Sequence, residues 1–426
     1  MCYQSRKDTG GLKMSAKGDM IYAWAKDAEI LKKGECGGAI TALHKYALES
    51  GMVDAVLAVT KGVDLYDAKP VLITDPADLV NTAGSLHCGT LLLPKIFKNY
   101  LNGARDMKIS VTVKGCDAMA FYELAKRNQV NLDNIVMIGV NCGGSVSPIA
   151  ARKMILEKFE VDPDIIEKEE IDKGQFIIEY DGQHKGIKID DLEEEGYGRR
   201  SNCRRCKMKV PRQADLACGN WGVIGDKAGK ATFVEVCSEK GAQLLDAAIK
   251  GGALETAVAN PKGIEIRGKV EGAMLKLGES WRKRDFEGLG TGRDRIKTIM
   301  EETSRCIKCY GCIEVCPICY CVECSTKKDW LVQNGQVPPN FMFHMIRYAH
   351  IADSCINCGQ CQEHCAMDIP NALFMHAQQV EIEKMFGYVP GQDMTPPIHS
   401  MVEEMEERGR LEKTGSDQIF ENIFAE

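Results

Sequence analysis

The sequence predicts an α/β domain built on a mixed sheet covered on both faces, then a smaller cysteine-rich α+β module, then a helical C-terminal segment. Three observations carry this. Short apolar strands alternate with helical segments in the first part of the chain, two cysteine runs of identical spacing follow, and the end is rich in Glu, Met and Gln at helical period. At 426 residues the chain has ample length for separate cores. The divisions fall at 1–281 for the sheet domain, 282–300 for a basic, glycine-punctuated linker, 301–372 for the cysteine module and 373–426 for the extension.

Residues 1–35 are mixed and polar and give no clear element, and Cys2 reads as a bystander. Cys36-Gly37-Gly38-Ala39-Ile40-Thr41 opens an amphipathic helix through Leu48 that Gly51 closes. Asp54 to Thr60 and Lys69 to Thr74 are short strands, Asp75-Pro76 starts a helix ending near Gly84, and Leu91 to Leu101 has helical period. The pattern then becomes regular: strand Ile109–Val113, turn Lys114-Gly115-Cys116, helix from Met119 to Arg127; strand Ile135–Val140, turn Asn141-Cys142-Gly143-Gly144, helix from Pro148 to Phe159. Near-continuous apolar strands belong to a sheet buried on both faces, and in such sheets ligands collect beyond the carboxyl ends of the strands. Cys116 and Cys142 sit at that edge.

A hairpin follows, Phe176–Tyr180 and Gly186–Ile189 about Asp181-Gly182, with an acidic run from Asp190 to Glu195 expected as a solvated loop. Cys203-x2-Cys206 comes next, then Ala214-Asp215-Leu216-Ala217-Cys218-Gly219-Asn220-Trp221-Gly222, a strand from Ala231 to Val236 and a helix from Gly241 to Ile249. Gly288 to Gly292 follows no strand and is not a phosphate loop. Helices are expected over Ala372–Met385 and Ile398–Leu411, as caps on the module or a docking surface.

The cysteine module reads Cys306-x2-Cys309-x2-Cys312-x3-Cys316-Pro317 and Cys355-x2-Cys358-x2-Cys361-x3-Cys365. In a C-x2-C-x2-C-x3-C run three thiolates wrap one iron-sulfur cube and the fourth goes to the neighbouring cube. On that rule Cys306, Cys309, Cys312 and Cys365 hold one [4Fe-4S] cluster, and Cys355, Cys358, Cys361 and Cys316 hold the other. Zinc, which takes paired knuckles, and disulfides fit the threes-plus-one spacing poorly. The module is therefore a two-[4Fe-4S] ferredoxin-like domain that moves single electrons. Cys319, Cys321 and Cys324 remain unassigned. Cys116, Cys142 and Cys203-x2-Cys206 could complete a third cube, and from spacing alone this stands level with unrelated core cysteines.

With 20 cysteines, no charged-then-apolar leader pattern and no apolar run of spanning length, the chain is expected to be cytoplasmic, where thiols stay reduced and serve metals. The net charge of −7 argues against general nucleic-acid binding.

Cys36-Gly-Gly-Ala-Ile-Thr-Ala-Leu, Ala83-Gly84-Ser85, Lys114-Gly-Cys116-Asp117, Asn141-Cys142, Cys203-x2-Cys206 and Ala214-Asp215-x3-Gly219-Asn220 resemble the flavoprotein beta subunits that exchange electrons with coenzyme F420, an 8-hydroxy-5-deazaflavin. The resemblance covers roughly residues 20 to 280. The ferredoxin module behind it is similar to the beta subunits of F420-dependent formate dehydrogenases of methanogens. The resemblance implies one FAD and a third [4Fe-4S] cluster in the first domain, with Cys116, Cys142, Cys203 and Cys206 as ligands. Gly115 and Asn141 depart from the Pro and Phe common before two of these cysteines, and Cys218 competes with Cys116 as the fourth ligand. Gly37, Gly38 and Thr41, at a helix start, are expected to offer backbone amides to an FAD phosphate. Ser85, Gly115, Asn141, Gly143, Gly144 and Asn220 are placed near the same sheet edge.

F420 takes a hydride and a cube takes one electron, so a flavin must convert between them. No side chain need act as nucleophile or base, and no catalytic residue is assigned. His87 beside Cys88 and His364 beside Cys365 could tune a flavin or cluster by hydrogen bonds. The implied function is F420 reduction, reversible, with electrons from formate oxidised at a molybdenum or tungsten pterin in a partner subunit, with a place in a larger electron-bifurcating heterodisulfide reductase assembly also open. The rivals are a flavoprotein subunit fed by a hydrogenase or ferredoxin, and a flavin-free iron-sulfur subunit whose first domain is a docking scaffold.

Overall fold

The computed structural model describes residues 15–321 and 323–398. Cys2 and the expected helix over Ile398–Leu411, apart from Ile398 itself, lie outside them. Among the described residues there are eleven strands: β1 (Met20–Ala25), β2 (Ala55–Lys61), β3 (Ala68–Ile73), β4 (Ile109–Val113), β5 (Ile135–Val140), β6 (Lys168–Asp172), β7 (Gln175–Tyr180), β8 (Gln183–Lys188), β9 (Leu216–Gly219), β10 (Thr232–Val236) and β11 (Leu254–Val258). Eight form one sheet in the order β11-β1-β10-β9-β5-β4-β2-β3, and β6-β7-β8 form a second, antiparallel sheet. Strands β2, β4, β5 and β9 pair in parallel. Strand β10 is antiparallel to β9 and to β1, so β1 runs with the parallel set. The large sheet is mixed, as the sequence predicts.

Helices α1 (Ala28–Lys33), α2 (Ala39–Glu49), α3 (Pro94–Tyr100), α4 (Gly115–Ala125), α5 (Pro148–Met154), α6 (Ile189–Glu194), α7 (Ser201–Arg204) and α8 (Glu239–Lys250) belong to this domain. One face of the sheet packs Val56, Ile138 and Val234 against Leu43 and Ala47 of α2 and Leu244 and Leu245 of α8. The other packs Ile109, Val111 and Met137 against Phe97 of α3 and Phe121 and Leu124 of α4. Burial on both faces is why β5 reads as an unbroken apolar run, while β4 is interrupted by Ser110 and Thr112, both bonded to His44. Helix α8 starts on a side-chain cap: Ser238 Oγ accepts from the Gly241 amide at 3.0 Å.

Helix α9 (Pro261–Glu287) is 27 residues, about 40 Å long. Asn260 caps it and Pro261 occupies its first position. It and α10 (Gly292–Thr303) leave only a short turn within the stretch expected as a linker. The acidic run is also helical, as α6, and Glu193 within it is buried on Arg199 rather than solvated.

The cysteine module contains α11 (Gly311–Glu314), α12 (Phe341–Ile351), α13 (Gln360–Glu363) and the long α14 (Asn371–Phe386). Among the described residues no strand lies beyond Val258, which corrects the α+β expectation for this part. Its cysteine loops alternate into the left-handed region and cannot run extended, so helices supply the packing. Cys316, Ile318, Tyr348, Ile356, Phe374 and Met375 share one core with Met119 and Ala120 of α4, so the module is docked on the end of the sheet domain. Among the described residues no helix is long and apolar enough to cross a membrane.

Candidate metal and flavin site

Both cysteine runs use the same backbone device. Lys308 and Tyr310, the second and fourth residues after Cys306, have φ of 55° and 61°; Asn357 and Gly359, the equivalents after Cys355, have 53° and 76°. Such alternation turns successive amides toward one point and suits an anion. The Lys308 amide donates to Cys306 Sγ at 3.3 Å and the Ile369 amide to Cys365 Sγ at 3.4 Å.

Cys306, Cys309, Cys312 and Cys365 line one cavity with Phe343 and His344. Cys316, Cys355, Cys358 and Cys361 line another with Ile318, Arg347 and Met375. Each cavity thus takes three thiols from one run and one from the other. Among the described residues no three Cys, His, Asp or Glu side chains converge as ligands of a single ion would. The thiols surround volumes instead, as corner ligands of a cube do. Burial pushes Cys312 and Cys355 up to about 11 and Cys361 higher still, so without metal these are inert thiols. The residues present fit a cluster at both places. Cys309 is exposed, which puts the first cavity nearer the surface.

The four cysteines of the first domain also meet. Cys116 enters α4 at the end of β4, Cys142 follows β5, and Cys203 and Cys206 come from α7 and the loop after it. Desolvation pushes Cys142 to about 11, and the thiols of Cys203 and Cys206 push the same way. Cys116 is raised well above the ordinary value by desolvation, then by Asp117, with Cys142 and Cys206 adding to it. The Met208 amide donates to Cys206 Sγ at 3.4 Å. Cys218 is elsewhere, buried in the core beside Arg267 and Cys237.

The glycines of these turns have packing reasons. A Cβ at Gly115 would stand 2.5 Å from Met208, and one at Gly144 would stand 3.1 Å from Cys203 Cβ, so both let the 203–208 loop close on the strand ends. Gly37 and Gly38 have positive φ and are filled by Lys230 and Trp24 and by Ile30. Gly143 alone of these faces open space. The first turn of α2, with Thr41, has no side-chain cap. Asn141 Nδ2 donates to Asn220 Oδ1 at 3.3 Å, and Ser85 Oγ to Glu35 at 2.5 Å. Chain direction puts Gly37, Lys114, Asn141, Gly143 and Asn220 at one carboxyl edge of the sheet.

Several residues the sequence reading passed over join these places. Asn202 Nδ2 donates to the Asn357 carbonyl at 3.2 Å and Asn357 Nδ2 to the Asn202 carbonyl at 2.9 Å, tying the Cys203 loop to the Cys355–Cys358 loop. Arg200 donates to the Cys358 carbonyl at 3.2 Å and pairs with Glu363 at 3.1 Å. Lys209, fully buried, donates to the Cys203 carbonyl at 3.3 Å. The basic pairs around Cys203, Arg199-Arg200 and Arg204-Arg205, were the signal for them. Lys95 and Lys98 donate to the Cys319 carbonyl at 3.2 and 3.1 Å, and Cys324 Sγ lies 2.9 Å from Thr326 Oγ1. His87 and His364 turn their Nδ1 to backbone carbonyls, of Glu169 and Gln360, at 3.1 Å each.

Comparison with known proteins shows the family. Family models for the N-terminal and the C-terminal parts of the coenzyme F420 hydrogenase/dehydrogenase beta subunit match residues 20–98 and 106–262 respectively. The F420-dependent formate dehydrogenase subunit beta of Methanocaldococcus jannaschii is 50% identical over 384 residues, 89% of this chain and 99% of that one. The F420-dependent formate dehydrogenase 1 subunit beta of Methanococcus maripaludis is 53% identical over 384 residues, 89% and 97% of the two chains. The coenzyme F420 hydrogenase subunit beta of Methanococcus voltae is 27% identical over 239 residues, 55% of this chain and 82% of that one. A chain of the F420-reducing [NiFe] hydrogenase complex from Methanosarcina barkeri shares the fold at a TM-score of 0.54 and 20% identity, over 64% of this chain and 93% of that one. The chain belongs to the coenzyme F420 hydrogenase/dehydrogenase beta-subunit family, with the beta subunits of F420-dependent formate dehydrogenases, and is an oxidoreductase subunit.

Proposed function

We propose that this chain carries one FAD and three [4Fe-4S] clusters and passes electrons, reversibly, between formate oxidation at a pterin partner subunit and coenzyme F420. The observation that supports it best is the succession of three four-thiol sets. One opens toward the surface at Cys309, the second is buried behind it, and the third is tied to the second through Asn202 and Asn357 and ends at the carboxyl edge of the sheet. FAD, when bound, would supply the exchange between single electrons and a hydride.

The chain's own residues would hold these groups in series. Cys306, Cys309, Cys312 and Cys365 form the outer set, Cys316, Cys355, Cys358 and Cys361 the middle one, and Cys116, Cys142, Cys203 and Cys206 the inner one. The uncapped start of α2 and the open space over Gly143 suit a flavin phosphate and ring at the same edge. The formate reading is favoured over a hydrogenase-fed one because the match to the Methanococcus voltae hydrogenase subunit covers 55% of this chain, while the two formate dehydrogenase relatives match over 89% of it.

Anaerobic purification with iron and flavin counts tests the reading. One FAD and about twelve irons per chain, three four-iron cubes, are expected. About eight irons without flavin would reduce the first domain to a scaffold. Reduction of F420 by the native complex with hydrogen but not with formate would replace the partner.

A further inference from the structure

Arg347, on α12, is 3% exposed, a depth at which a guanidinium is held only against compensating negative charge. Nη2 donates to the Cys312 carbonyl at 3.0 Å, while Nε and Nη1 are buried without a hydrogen-bond partner. The residue lines the cavity of the middle thiol set, and Cys312 belongs to the outer one. The groups that act on it most strongly as negative charges are the thiols of Cys319, Cys316, Cys312 and Cys361, with no carboxylate among them. A buried cation so placed is compensated when the thiols around it are thiolates, the state that metal ligation would impose on Cys312, Cys316 and Cys361.

Arg200 repeats the arrangement one step inward. It is 8% exposed, donates to the Cys358 carbonyl, and faces the thiols of Cys203 and Cys358 from between the middle and inner sets, with Glu363 offsetting part of its charge. A Cβ at Gly359 would stand 2.8 Å from Arg200 Nη2, so the cysteine loop closes on the guanidinium without room to spare.

We propose that Arg347 and Arg200 are positioning residues interleaved with the three thiol sets, fixed cations that raise the reduction potentials of the clusters on either side of them. The proposal rests on the cluster reading above. Reduction adds one negative charge to a cluster, and a fixed cation in a low-dielectric site stabilises that added charge at no reorganisation cost. Arg347 acts on the outer and middle sets and Arg200 on the middle and inner ones. The middle set alone lies between both cations.

The test is anaerobic redox titration of the full native complex followed by electron paramagnetic resonance, with iron counted in every sample. In Arg347→Gln, the reduced-to-oxidised ratio of the middle cluster at fixed ambient potential should fall at least tenfold, which is 59 mV for a one-electron couple. The inner cluster should not move, and Arg347→Lys, which keeps the charge, should lie nearer the wild type. Arg200→Gln should lower the middle and inner clusters and spare the outer one. Unchanged potentials in iron-replete Arg347→Gln would overturn the proposal, as would loss of iron in the Lys variant as complete as in the Gln variant, which marks a packing role. A wild-type complex without the three clusters would sink the functional reading itself, and its iron count reports that separately.

Discussion

The centre of the sheet domain and the centre of the cysteine module bury polar groups on opposite terms. In the first, two deeply buried titratable groups are answered from within the chain. His44 has Ser110 Oγ and Thr112 Oγ1 at 2.8 Å, and Glu123 takes Lys126 at 2.7 Å, Arg127 at 2.8 Å, and the Tyr388 hydroxyl and Gly391 amide at 2.7 Å. In the second, Arg347 Nε and Nη1, His344 Nε2 and His376 Nδ1 are buried without partners, and eight thiols face two cavities. Buried polar groups in folded proteins are almost all satisfied, and those left open beside the two thiol cavities mark where an absent partner completes the fold. The sheet domain has open atoms of its own, Glu235 Oε2 and Arg267 Nε among them, but around His44 and Glu123 it is closed by its own side chains, whereas the thiol cavities are closed by what they bind.

Anaerobic removal of iron by a chelator is the strongest way to break this contrast. Hydrogen-exchange protection over residues 306–365 should fall on the order of a hundredfold, the factor that about 2.7 kcal/mol of lost binding free energy gives. Amides of β4 and β5 should keep theirs. Equal loss in both regions would show that the sheet domain leans on the metal as well.

Glu123 sharpens the contrast from the closed side, because it also joins the two regions: Tyr388 and Gly391 follow α14, and Arg127 reaches Ser354 Oγ at 2.5 Å. Burial alone would raise the Glu123 carboxyl, but the Arg127 and Lys126 charges outweigh it and hold it below the usual range. Glu123→Ala leaves both cations buried without their carboxylate and should cost about 3–5 kcal/mol in urea unfolding of the iron-loaded protein. A cost under about 1 kcal/mol would mean that the cations find other partners or water.

The sequence made the closed parts legible where the signal is local. Strand β5 is apolar throughout because both its faces are buried, and the cysteine spacing encodes the loops because every third residue must return a thiol to one centre. Strand β1 escaped because its partners, β10 and β11, are far along the chain. Helix α9 escaped because its buried residues are Gly263, Arg267, Gly278 and Trp281, which make no apolar stripe; close backbone approaches hold it instead, Gly263 on Gly222 and Gly278 on the Cys206 carbonyl. Glu193 looked solvated because its partner Arg199 lies beyond the end of its helix. Nothing near Arg347 in sequence announces that it reaches cysteines 31 and 35 positions before it, Cys316 and Cys312, because side-chain convergence of that kind exists only after folding. The turn glycines were legible as glycines and misleading as to purpose, since Gly115 and Gly144 are needed by the loop that packs on them.

His44 gives the smallest expected effect and separates the two regions by pH. Burial between β4 and α2 lowers its imidazole to about 4, while in the unfolded chain it titrates near its ordinary 6.5. The unfolded state therefore binds the proton first as pH falls. Stability is unaffected by this group above pH 6.5, falls by about 1.4 kcal/mol per pH unit between 6.5 and 4, and levels off below. His344 and His376 are lowered in the same direction by burial, so the wild-type slope is a sum and the difference from His44→Gln isolates one group. The glutamine amide that replaces the imidazole can still reach Ser110 or Thr112, and it does not titrate. Between pH 6.5 and 5.5 the variant should lose about 1 kcal/mol less than the wild type in urea unfolding, because the unfolded imidazole is already half protonated at the upper limit. Parallel curves for the two proteins would show that the imidazole takes up its proton in the folded state, and that the sheet domain is less closed than its hydrogen bonds imply.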